Sequence, residues 1–118
     1  MNAFRFALYL AVAWIVVDGD TLKAPYGVTY RVLGYDTPET HFAKCDAERR
    51  LGNVATRRFE QLLKNGEVKV EETGRIDKYG RMLAKVYVNG RDVSETMIGE
   101  GLARPYDGGK RESWCATL

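Results

Sequence analysis

Asp46 to Glu71 reads DAERRLGNVATRRFEQLLKNGEVKVE, and its periodicity changes partway along. Up to Lys64, the apolar residues Leu51, Val54, Ala55, Phe59, Leu62 and Leu63 recur three and four positions apart. That spacing predicts an α-helix over 46–64 with one apolar face. Asp46 stands where an N-cap belongs, and Asn65-Gly66 where a helix stops. Beyond the stop, Glu67-Val68-Lys69-Val70-Glu71 alternates at every second residue, as a half-buried strand does.

What flanks this helix–strand unit selects the fold. Upstream, a strand is expected at Thr21–Ala24, then a turn at Pro25-Tyr26-Gly27. A third strand follows over Val28–Tyr35, where Val28, Tyr30 and Val32 alternate. Pro38 lacks an amide donor and restricts Thr37, so Asp36-Thr37-Pro38-Glu39 ends that strand. Downstream, Gly74–Gly80 reads as a polar loop and Leu83–Val88 as a strand closed by Asn89-Gly90. Asp92 and Glu95 have capping-box spacing and open a short second helix through Leu102. Ala103–Leu118 reads as loop. Five short strands with a helix between the third and fourth fit a small Greek-key barrel of the OB type, α+β and mainly β, with two flanking helices. An open α+β sheet is the alternative.

The first strand belongs to an unbroken apolar run, Phe6–Val17, of about 12 residues against the roughly 20 that span a bilayer. A fully buried strand accounts for the run. A clipped targeting remnant over 1–13 is the rival, with Arg5 as its positive flank and Ala11-Val12-Ala13 as a small-residue cleavage site.

The chain has 118 residues, 45% hydrophobic and 29% charged, which suits one globular domain over 1–118 and excludes disorder. One His and two Cys cannot build a multi-His or all-Cys metal centre, so a metal here would be held mainly by oxygen. A net charge of +2 says little about partners by itself.

Three clusters at strand ends or in loops carry the chemistry. Val17-Asp18-Gly19-Asp20-Thr21 is the first, Arg31 followed by Asp36-Thr37-Pro38-Glu39 the second, and Asp77-Lys78-Tyr79-Gly80-Arg81 the third. Two carboxylates about 4 Å apart repel by about 4 kcal/mol at an effective dielectric of 20. A fold that gathers Asp18, Asp20, Asp36 and Glu39 therefore needs a cation or raised pKa values. Hard oxygen ligands suit Ca²⁺ or Mg²⁺. Taken singly, each Asp is also an ordinary turn residue. Arg31 lies inside an apolar strand and must find a partner or water. A guanidinium fork matches phosphate oxygens, so Arg31 and Arg81 with a hard cation and a free carboxylate make a set suited to phosphodiester hydrolysis.

Together the three clusters, V-V-D-G-D-T, R-x4-D-T-P-E and D-K-Y-G-R, strongly resemble the staphylococcal-nuclease (thermonuclease-like) family over about Val16–Ala103. The resemblance implies an OB barrel with flanking helices and Ca²⁺-dependent cleavage of DNA and RNA that leaves 3′-phosphate ends. It implies Asp20, Asp36 and the Thr37 carbonyl as Ca²⁺ ligands, with Asp18 behind them. Glu39 is implied as the residue that positions or activates water, and Arg31 and Arg81 as the pair on the phosphate. Lys78 and Tyr79 match positions that touch the nucleotide. Single-stranded substrate, a monomer and no stable protein partner are the expectations that go with it. With the four clustered carboxylates set aside, 18 basic residues face 12 acidic ones, a background that attracts a polyanion.

The chain departs from the family pattern after Glu39, where Thr40–Asp46 is short and has no lysine-rich excursion, and at the end, where no long helix follows. Tyr106 is expected either to stack on a base or to pack the open end of the barrel. His41 reads as a solvated loop residue or as one that tunes the site. Cys45 and Cys115 read as a disulfide tying tail to loop, or as two free thiols. The bridge would account for Trp114-Cys115 in a polar tail and would point to a secreted or periplasmic location. The reading that competes with an enzyme is a catalytically silent OB module that binds nucleic acid and needs neither Glu39 nor a metal.

Overall fold

A computed structural model describes residues 14–115. Most of the apolar run that begins at Phe6 lies outside the described residues, as does the targeting remnant read over 1–13.

The strands are β1 (Ile15–Asp18), β2 (Thr21–Lys23), β3 (Thr29–Val32) and β4 (Gly34–Asp36), then β5 (Val68–Ile76), β6 (Met82–Val88), β7 (Arg91–Asp92) and β8 (Arg104–Tyr106). Among the described residues two helices, α1 (Asp46–Lys64) and α2 (Val93–Gly99), separate them. The main sheet runs β1-β2-β3-β6-β5, with β7 on β6. All its pairings are antiparallel except β3 with β6. Counting only the five principal strands, the order is first, second, third, fifth, fourth, with third and fifth parallel. This is the OB arrangement, with α1 in the crossover between third and fourth. The core beneath it is built from Leu22, Tyr30, Val32, Phe59, Val86 and Met97, all essentially inaccessible.

The structure redraws several local expectations. The strand expected over Val28–Tyr35 is two. Gly34 adopts φ +101°, a backbone region open to glycine, and turns the chain from β3 into β4. The tail expected to be loop contains β8, which pairs with β4 in a separate two-stranded sheet. The loop expected from Gly74 begins later, because β5 continues to Ile76. β1 is not fully buried. It ends the sheet, and Ile15 and Val17 are 57% and 44% exposed. Helix α1 has the expected bounds, but its N-cap is Cys45 and Val54 is exposed. The buried stripe runs through Gly52, Ala55, Phe59 and Leu63. Val54 falls a full helical step to one side of it.

Candidate active site

Strand register and one long side chain bring the three clusters together. Thr21 pairs with Arg31 across β2 and β3, and Arg31 pairs with Leu83 across β3 and β6. Asp20 thus lies toward the end of β3 and Arg81, two residues before Leu83, toward its start; the long Arg81 side chain spans that offset and reaches Thr21, next to Asp20.

Asp20 and Asp36 are both buried. The Asp20 carboxylate accepts from the Thr37 amide at 3.3 Å and lies 3.4 Å from Arg31 Nη1. Asp18 accepts from the Asp20 amide at 3.1 Å, as an Asx turn does. Burial and the neighbouring Asp20 carboxylate, with Glu39 further off, push the Asp18 carboxyl up to about 7. Tyr35 closes the floor by donating its hydroxyl to the Gly19 carbonyl at 2.8 Å. Complete burial, with Asp20 next in importance, holds that phenol well above its ordinary pKa, so it keeps the proton it donates.

The strand-interior Arg31 finds its partners at once. It donates to the carbonyls of Val32 at 2.6 Å and Tyr35 at 3.2 Å, pairs with Asp20, and lies over the Tyr106 ring at 5.8 Å. Arg81 is set by the tight turn before it. Asp77 accepts from the amides of Tyr79 and Arg81, each at 2.9 Å, and from Arg81 Nε at 2.8 Å. The other end of that guanidinium donates to Thr21 Oγ1 at 2.9 Å, one residue from Asp20. Lys78 and Tyr79 ride on the same turn. Tyr79 is 70% exposed, with both Lys78 and Arg81 over its ring. The Tyr106 hydroxyl donates to the Gly109 carbonyl at 2.6 Å. His41 is exposed.

Glu39 owes its place to α1. Gly52 is buried where the loop crosses the helix, and a Cβ there would meet the carbonyl oxygens of Glu39 and Pro38 at 2.6 and 2.8 Å. Glu48, in the first turn of α1, accepts from the amides of Glu39 at 3.0 Å and Lys44 at 2.9 Å. The spacing Cys45-x-x-Glu48 is that of a capping box with Cys in place of Ser or Thr, the one signal that marks Glu48 in the sequence.

The C-terminal tail supplies two further residues that sequence reasoning did not place at the site. Cys45 and Cys115 form a disulfide, which draws the tail back over the loop. Trp114 is buried and donates its indole N–H to Asp36 Oδ2 at 3.2 Å, with Arg104 over its ring at 3.8 Å. Arg111 enters the acidic cluster. It touches Asp36 Oδ1, lies 3.0 Å from Glu39 Oε1, and donates to the Thr37 carbonyl at 3.4 Å. A Trp, an Arg and a Cys within five residues of a glycine-rich polar tail are the hint. A cleft of about 680 Å³ opens beside Glu39, between the loop of Phe42 and Lys44 and the tail of Lys110–Trp114.

The oxygen atoms gathered here suit a hard divalent cation. Asp36 Oδ1 is buried and makes no hydrogen bond; Arg111 is its ionic neighbour. With Asp18, Asp20, Glu39 and the Thr37 carbonyl this is an all-oxygen set of the type Ca²⁺ takes. Among the described residues, no three of these carboxylates bring oxygens within 4.8 Å of one another; only Cys45, Glu48 and Cys115 meet that measure, and their sulfurs are bonded to each other. The guanidinium of Arg111 stands between Asp36 and Glu39. The residues fit the ion in chemistry and charge, with Arg111 lodged between two of them.

Known proteins share this pattern. Residues 29–114 match the family model described as staphylococcal nuclease homologue. The chain is 44% identical over 93 residues to the SPbeta prophage-derived endonuclease YokF of Bacillus subtilis, covering 75% of this chain and 31% of that protein. It is 43% identical to endonuclease YncB of the same organism, over 75% of this chain and 44% of that one. It is 34% identical to the thermonuclease of Staphylococcus hyicus, over 75% and 54% respectively. The chain thus spans about a third to a half of the length of these curated relatives. With the barrel order, the three clusters brought together and a family match over most of its length, this chain belongs to the staphylococcal nuclease family.

Proposed function

We propose that the chain is a Ca²⁺-dependent nuclease that hydrolyses phosphodiester bonds of DNA and RNA and leaves 3′-phosphate ends. The observation that carries the reading is that both guanidinium groups reach the segment of the buried Asp20. Arg31 pairs with Asp20, and Arg81 bonds the residue beside it. The relatives named endonuclease and thermonuclease support it.

Asp20, Asp36 and the Thr37 carbonyl would hold the ion, with Asp18 behind them. When bound, such an ion neutralises charge on the phosphoryl oxygens. Arg31 and Arg81 bind the same phosphate and stabilise the charge that builds there. Glu39 orients a water and takes its proton as the oxygen bonds to phosphorus. The bond from phosphorus to the 5′ oxygen breaks, and that oxygen leaves with a proton from solvent. Lys78 and the exposed Tyr79 contact the substrate, and Tyr106 stacks on a base at the other side of Arg31. A single strand, whose bases are free to stack, is the preferred form. The disulfide suits an oxidising compartment.

The test is digestion of denatured DNA and of RNA with Ca²⁺ or with chelator. Cleavage is expected with Ca²⁺ alone, and Glu39→Gln is expected to lower kcat by on the order of 10²-fold or more with binding retained. Binding without cleavage in the parent chain would make it a silent OB module. Equal rates for Glu39→Gln and parent would remove Glu39 from the chemistry.

A further inference from the structure

We infer that Arg111 is a tethered counter-cation seated in the divalent-ion site, which a metal must displace in order to bind. The inference rests on the metal reading above and concerns a residue that lies outside the three clusters. The guanidinium touches Asp36 Oδ1, Thr37 O and Glu39 Oε1, two of the three groups assigned to the ion and the carboxylate assigned to the water. An arginine fork and a divalent ion cannot share those oxygens, and their like charges repel.

The seat is built rather than incidental. Four residues beyond Arg111, Cys115 is bonded to Cys45 at the start of α1. Between them, Trp114 is buried and donates to the other oxygen of Asp36. Arg104 covers the Trp114 ring and donates to the carbonyls of Glu112 and Ser113, each at 3.3 Å. These ties hold a flexible side chain where it neutralises the buried Asp36 and the half-buried Glu39, which would otherwise repel. Burial opposes the charge on Arg111, but Asp36 and Glu39 outweigh it and keep the guanidinium more firmly protonated than usual.

Competition of this kind reads out as metal affinity. A plug seated nine times in ten leaves one molecule in ten competent and raises the apparent Kd about tenfold. Ca²⁺ alone is titrated calorimetrically into chelator-treated parent, Arg111→Gln, Arg111→Lys and Lys110→Gln. Arg111→Gln is expected to bind about tenfold more tightly than the parent. Arg111→Lys keeps the charge but loses the fork, and is expected to fall between them; it also serves if the Gln variant does not fold. Lys110→Gln removes a charge from the same tail without touching the carboxylates, and is expected to match the parent. Equal Kd values for parent, Arg111→Gln and Arg111→Lys would overturn the inference, and so would equal tightening by Lys110→Gln, which would reduce the effect to net charge. If neither the parent nor either Arg111 variant takes up Ca²⁺ at millimolar concentration, the metal reading fails and the plug with it. Uptake by all at one Kd removes the plug alone.

Discussion

Removing the carboxylate of Glu48 tests whether the helix start positions Glu39. Glu48 is 5% exposed and accepts from two backbone amides of the loop, at 3.0 and 2.9 Å. A hydrogen bond to a charged group contributes roughly 1.5–3 kcal/mol, and a buried amide left without a partner costs its desolvation as well. Glu48→Gln keeps one acceptor oxygen but turns an N–H₂ toward an amide donor, so one bond is lost and two donors face each other. The expected loss is about 2 kcal/mol for Gln and about 3 kcal/mol for Ala. For a domain of this size, 2 kcal/mol lowers Tm by about 8 °C. Urea unfolding gives the free energies, and kcat/KM on denatured DNA gives the effect on the site. A displacement of Glu39 by about 1 Å is expected to cost on the order of 10²-fold in kcat/KM. An unfolding free energy for Glu48→Gln within about 0.5 kcal/mol of the parent would refute the energetic argument. Lost stability with unchanged kcat/KM would refute the link from Glu48 to Glu39.

Two further predictions concern the ties that close the structure. The Cys45–Cys115 bridge spans 70 positions, and a closed loop of that length stabilises by about 4 kcal/mol in the chain-entropy model. Reduction, or Cys45→Ser with Cys115→Ser, is expected to lower the unfolding free energy by about that amount, and equal stability with and without reductant would contradict it. Asp77 is the second. Burial alone would raise its pKa, but hydrogen bonds from the amides of Arg81 and Tyr79 and from the Arg81 side chain bring it below the ordinary 3.8. A lowered folded pKa gives stability that is present in full above the unfolded value and lost as pH falls through the folded one. The stability difference between parent and Asp77→Asn is therefore expected to be constant above about pH 5 and to shrink steadily below about pH 4. Denaturation curves at a series of pH values check it, and a difference that does not vary with pH would show that the charge of Asp77 contributes nothing.

What could be read in the sequence is what short-range physics determines. The Asp18-Gly19-Asp20 turn, the stop at Thr37-Pro38 and the turn at Asp77–Gly80 each set their own backbone, so the candidate site side chains are legible where local rules act. Helix α1 was legible because 19 residues give a periodic pattern room to repeat. β4 and β8 have three residues each, too few to show a period of two, and their pairing of Tyr35 with Pro105 joins segments no local rule connects. The conformation of Gly34, which splits the expected third strand, shows only once β4 has its partner.

The tail shows the same limit with a larger consequence. Arg111 reaches Glu39 and Asp36 only because a disulfide and a buried indole bring the tail back across the rim. Its own neighbours in sequence, Gly108, Gly109 and Lys110, predict nothing but a solvated loop. The motifs of a family thus report which groups gather at a site, while long-range ties decide what stands among those groups before a ligand arrives. Here that is a guanidinium between one carboxylate assigned to a metal and the carboxylate assigned to the water. Because the tail and the carboxylates meet through the same few contacts, anything that loosens Trp114 or the bridge also loosens Arg111. If Arg111 is the plug proposed, stability of the tail and readiness of the site for a divalent ion are expected to change in opposite directions.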